Sequence, residues 1–178
     1  MQVLGVDPGT IRTGYGVVSL DNGVVKHIYS GIINLTKVTY MPEKLHIINE
    51  KLNQIIADYR PDEFSIETAF YGKNIQSALK IGLARGAAIL SAYNNNLGIG
   101  EYSPREVKKS IVGTGAASKE QVNYMIKSIL NINEKEIALD ESDALAVAIC
   151  HAFRIKGFFK KSTNWKSFIE QFPERIIE

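Results

Sequence analysis

Short apolar runs broken by turn residues fill the first third of the chain. Residues 2–6 are apolar and stop at Asp7-Pro8-Gly9, which predicts a buried strand ended by a turn. Residues 14–20 (GYGVVSL) predict a second strand. Asp21-Asn22-Gly23 is a hairpin signal, and residues 24–35 predict the return strand. The period then changes. Leu45, Ile48, Leu52, Ile55 and Ile56 follow Pro42 at three- and four-residue spacing and make one apolar helix stripe, closed by Arg60-Pro61-Asp62. Residues 63–67 (EFSIE) predict a strand, residues 74–94 a long helix rich in small residues, and residues 99–102 another strand. Pro104 opens a short helix ended by Gly113-Thr114-Gly115. Ser118 with Gln121 three residues on is a capping-box pattern for a helix to about Leu130. Asp140 is the expected cap of a last, strongly apolar helix reaching about Phe153. A meander followed by strands alternating with helices predicts an α/β fold. Its mixed five-stranded sheet has an antiparallel part, then parallel strands joined by crossovers, with helices on its faces.

With 178 residues, 45% of them apolar and 22% charged, the chain has the composition of one globular domain and not of a disordered segment. The single Cys150 excludes an internal disulfide and a thiolate zinc cage, and is expected as a small buried residue. No apolar run approaches the roughly 18–20 residues that span a bilayer, and the first residues lack the basic start of a signal peptide. The net charge of +2 conceals a division. Residues 71–119 carry seven basic and two acidic side chains, and residues 120–143 carry six acidic and two basic. A body of residues 1–156 is followed by a tail, 157–178. There Trp165, Phe168, Ile169 and Phe172 have the spacing of a short amphipathic helix.

Three features carry chemistry. Asp7 ends the first strand within Asp7-Pro8-Gly9-Thr10, and its carboxylate suits a hard cation. Glu67 ends the strand before a crossover, the end where ligands gather in open sheets. Asp140 and Asp143 are three apart and share a helix face. Acidic residues also serve simply to cap a helix and oppose its dipole. The run after Asp143 (ALAVAIC) is apolar nearly all round, however, so this acidic end should lie against the sheet. Converging carboxylates repel strongly at low dielectric, and divalent cations relieve that repulsion. An oxygen-only donor set favours Mg²⁺, with Mn²⁺ able to substitute, over zinc. Two such ions make a clamp for phosphodiester hydrolysis.

The segments LGVDPGTIRTGYGVV, SIETAFYGKNIQSALKIGLARGAAI, YSPREVKKSIVGTGAASKEQV and DESDALAVAICHA resemble, in order and spacing over residues 1–156, the RuvC family of bacterial endonucleases that resolve four-way (Holliday) DNA junctions. The resemblance implies a ribonuclease-H-like fold with a catalytic, metal-binding tetrad at Asp7, Glu67, Asp140 and Asp143. Some members carry a histidine at the third position, and this chain carries Asp140. It further implies a cytoplasmic bacterial enzyme of recombination and repair, with no membrane role. It would act as a homodimer beside the RuvA–RuvB branch-migration complex, making paired nicks that leave 5′-phosphate and 3′-hydroxyl ends. Lys108 and Lys119 match basic positions near the scissile phosphate, and Phe70 matches an aromatic used against junction bases, with Tyr71 a weaker candidate. Lys73, Arg85 and Arg105, with Lys80 and Lys109, are candidates for backbone contacts. The helix of residues 74–94 is the expected dimer contact, and His151 is expected as a structural histidine. Rival readings are a nuclease of the same fold acting on RNA–DNA hybrid or pre-rRNA, an actin-like ATPase fragment, and a catalytically silent junction-binding module. The full set of carboxylates argues against the last. An actin-like ATPase needs two such subdomains, usually over 300 residues.

Overall fold

The computed structural model describes residues 1–68, 75–132 and 137–157. Five strands form one sheet in the order β3-β2-β1-β4-β5. Strands β1 (Gln2–Asp7), β2 (Arg12–Asp21) and β3 (Val24–Asn34) are the antiparallel meander. Strand β4 (Glu63–Glu67) joins β1 in parallel, and β5 (Gly98–Tyr102) joins β4 in parallel. The expected mixed sheet is therefore the one formed. Helix α1 (Met41–Tyr59) and α2 (Ile75–Asn94) supply the crossovers, and α3 (Pro104–Val112), α4 (Lys119–Leu130) and α5 (Leu139–Ile155) follow.

The core has two layers, one on each face of the sheet. Leu4, Val6, Val17, Phe64 and Ile66 pack beneath Ile48, Leu52 and Ile56 of α1 and Ala84, Ala88 and Ala92 of α2. Val3, Val18 and Leu20 pack against α5, with Val107, Ile111, Val122 and Ile126 of α3 and α4 around it. Strand β1 sends alternate residues to both layers, which is why its interior, Val3 to Val6, is apolar. Eleven residues of α5 are buried, Cys150 among them.

Helix α5 rests on strand backbone without intervening side chains. A Cβ at Gly5 would stand 2.3 Å from the Ala144 carbonyl oxygen, and one at Gly14 would stand 1.9 Å from that of Asp140. Both are far inside contact distance, so only glycine lets the helix come this close.

Two differences from the sequence reading concern helix starts. Ala138, not Asp140, is the N-cap of α5, because the Ser142 N–H already donates to the Ala138 carbonyl, 2.9 Å. Asp140 thus lies within the first turn. Helix α3 carries a second capping box, in which Ser103 accepts from the Glu106 N–H while the Glu106 carboxylate accepts from the Ser103 N–H. Ser118 and Gln121 form the expected box on α4. Among the described residues no helix is long and apolar enough to cross a membrane.

Candidate active site

Parallel pairing of β1 with β4 runs to Val6 opposite Ile66, so Asp7 and Glu67 leave the sheet side by side at the same end. The turn after Asp7 is fixed from within. The buried Thr13 hydroxyl donates to the Gly9 carbonyl, 2.8 Å, and accepts from the Gly9 N–H, 3.2 Å. Lys44 of α1 donates to the Thr10 carbonyl, 2.5 Å. Beyond Glu67, the Thr68 N–H donates to the Tyr102 carbonyl, 2.8 Å, which continues the β4–β5 ladder past the carboxylate. The N-terminal end of α5, seated on Gly14 at Asp140, brings Asp140 and Asp143 to this end.

Electrostatics tie the four carboxylates together. Burial, then the charges of Glu67, Asp143 and Asp140, push Asp7 up to about 7. Burial and then Asp143 push Glu67 up to about 7, against the pull of Lys119 and Lys108. Each carboxyl is thus held at the edge of ionisation near neutral pH. The outer two lean on cations: Asp143 pairs with Lys119 at 2.9 Å, and Asp140 with Arg12 at 4.0 Å. The hydrogen bond from Lys119 to Asp143, with the charges of Asp7 and Glu67, raises the Lys119 ammonium above its ordinary value.

In this arrangement no three His, Cys, Asp or Glu side chains among the described residues converge tightly enough to hold one metal ion. The donor set itself is hard oxygen, repelled internally and partly shielded from water, which is the chemistry that Mg²⁺ or Mn²⁺ satisfies.

The basic candidates separate. Lys108 donates to the Ala117 carbonyl at 2.7 Å, which bridges α3 to the loop before α4 on the side of Glu67. Arg105 is exposed on α3. Arg85 forms an ion pair with Glu101 of β5 and is mostly covered. Phe70, Tyr71 and Lys73 lie outside the described residues, as does the expected tail helix. Arg12 carried no role in the sequence reading. Its neighbourhood to Asp140 follows from sheet pairing that local sequence does not reveal.

Carboxylates at two adjacent parallel strand ends, joined by a helix turn in a β3-β2-β1-β4-β5 sheet, define a ribonuclease-H-like nuclease. The sequence model of the family described as crossover junction endodeoxyribonuclease RuvC matches residues 3–151, and the chain belongs to this family. It is 48% identical to crossover junction endodeoxyribonuclease RuvC of Chloroherpeton thalassium, with both chains fully covered. It is 44% identical to that of Cytophaga hutchinsonii, covering 98% of this chain and 87% of the relative. Thermus thermophilus RuvC in complex with Holliday junction substrate superposes with a TM-score of 0.82 at 29% identity, over 88% of this chain and 95% of that one.

Proposed function

We propose that the chain resolves four-way DNA junctions by metal-assisted hydrolysis of a phosphodiester in each of two strands, leaving 5′-phosphate and 3′-hydroxyl ends. The observation that carries this reading is the electrostatic coupling of Asp7, Glu67, Asp140 and Asp143 at one end of the sheet. Bound to these carboxylates, a pair of Mg²⁺ or Mn²⁺ ions would acidify a water and stabilise the leaving oxygen. The chain's own residues do the rest. Asp7 and Glu67 stand on the sheet as rigid ligands, and Asp140 and Asp143 close the site from α5. The ammonium of Lys119, bonded to Asp143, offers positive charge to a phosphate beside the carboxylates, and Lys108 adds to it. Phe70 follows Glu67 closely in sequence and is assigned to stacking on a junction base, worth about 1–3 kcal/mol.

A homodimer fits two symmetric cuts. Ile75, Leu79, Leu83, Leu90 and Tyr93 of α2 are exposed, and a Cβ at Gly82 or Gly86 would meet nothing within 4 Å. An apolar, small-residue helix face of this kind is suited to a second copy. Residues 1–156 form the nuclease body in this reading, and the enzyme works beside the branch-migration complex.

The test is cleavage of mobile and immobile four-way junctions, linear duplex and RNA–DNA hybrid with Mg²⁺. Asp7→Asn is expected to lose junction nicking while still binding the junction in a gel shift. Wild-type nicking by that variant would remove Asp7 from the site, and preference for the hybrid would favour the rival nuclease.

A further inference from the structure

The turn of α5 that carries Asp140 and Asp143 has no side-chain N-cap, since Ala138 supplies none. Something else must fix its position, because metal ligands need placement to within about 0.5 Å. The Gly14 seat fixes its height above the sheet. Besides the Lys119 bond to Asp143 itself, two hydrogen bonds leave the turn sideways. Ser142 donates to Asn123 of α4 at a long 3.3 Å. In the opposite direction Glu141, the residue following Asp140, accepts from the Ser30 hydroxyl of β3 at 2.5 Å, across 111 positions of sequence.

Ser30 has one proton and gives it to Glu141, so its bond to His27 Nε2, 2.6 Å, must be one it accepts. His27 therefore presents Nε2–H and orients the serine. Ser30 lies opposite Gly16 in the β2–β3 register, and His27 opposite Val18, beyond the irregularity at Val17/Val18. The bulge brings both side chains to one place on the strand. A charge-assisted bond of this length is among the stronger contacts that a surface-facing turn can make.

We infer that Ser30 and Glu141, with His27 orienting the serine, are positioning residues of the nuclease site: their hydrogen bond fixes the helix turn that presents Asp140 and Asp143. This rests on the reading of those aspartates as metal ligands. Outer partners that orient metal ligands typically change metal affinity about 10–100-fold when lost. Ser30 acts through backbone and not on a ligand directly, which places its effect near the lower bound.

Mn²⁺ binding by calorimetry and amide exchange of residues 142–145 in chelator test the inference on the full chain. Ser30→Ala is expected to weaken Mn²⁺ binding about tenfold and to speed exchange in the first turns of α5. Ser30→Thr, which keeps the hydroxyl, is expected to restore both. A far-ultraviolet melt shows that each variant is folded. Wild-type Mn²⁺ affinity in folded Ser30→Ala overturns the inference, as does a loss that Ser30→Thr leaves unrepaired. If the unsubstituted chain takes up no Mn²⁺ while exchange still responds to Ser30→Ala, the metal reading has failed and the anchoring has not.

Discussion

At the scale of single residues, Asp7 is where the proposed function opposes stability. Burial and three neighbouring carboxylates raise its pKa to about 7, so the fold prefers its neutral form. The unfolded chain has no such preference. Asp7 costs nothing below about pH 4, where it is protonated in both states, and its cost grows as pH rises from about 4 to about 7. Asp7→Asn is therefore expected to stabilise the chelated protein at pH 8 by on the order of 2–4 kcal/mol. The gap should close toward pH 4 and shrink again when Mg²⁺ is added to the unsubstituted protein. Thermal melts in EDTA and in Mg²⁺ measure it, and a variant less stable than its parent at pH 8 in EDTA contradicts the electrostatic account. Asp7 and Glu67 were legible because each ends a short apolar run. The Arg85–Glu101 pair and the Ser30–Glu141 bond were not, since each joins elements whose adjacency only the sheet order creates.

At the scale of elements, α5 is held at its far end by a network of a different kind. His151 is 5% exposed, accepts from the Tyr102 hydroxyl at Nδ1, 2.7 Å, and faces Glu63 through Nε2, 3.4 Å. The neutral ring with its proton on Nε2 satisfies both partners. Burial lowers the His151 pKa, opposed by Glu63. The group facing the ring from β5 is Tyr102, with Arg154 stacked over that phenol and paired to Glu106 of α3. Because the unfolded chain takes up the proton first, stability is lost as pH falls below about 6.5. His151→Gln should remove that part of the acid sensitivity. Urea titrations of both proteins between pH 7.5 and 5 check it, and parallel slopes would exclude His151 as the source. Periodicity gave α5 its extent and buried character, but it misplaced the start by two residues. An acidic residue before an apolar run reads as a cap, and only the backbone shows that the first turn already includes it.

At the scale of the whole molecule, one chain contributes one set of four carboxylates, while a junction requires two cuts. The exposed stripe on α2 is the surface proposed to join two copies. Leu83→Glu, at a site 51% exposed, should leave the monomer fold intact. It should convert a dimer to monomers in sedimentation velocity and replace paired nicks by isolated ones. A variant that stays dimeric moves the contact elsewhere. The mixed character of the sheet could be anticipated because strand and helix periods differ plainly; the strand order could not, and the face of α2 left open to a partner was expected only from the family resemblance, since exposure is a property of the assembled fold. The docking of α5 on Gly5 and Gly14 also governs timing. Strands β1 and β2 are synthesised first, yet the helix that covers one of their faces comes only at residues 139–155. A nascent chain thus has two of its four carboxylates and an unroofed sheet until roughly 140 residues have left the ribosome. With the tetrad proposed above, cleavage has to wait for α5, and for most of synthesis the apolar sheet face that α5 covers has no helix over it.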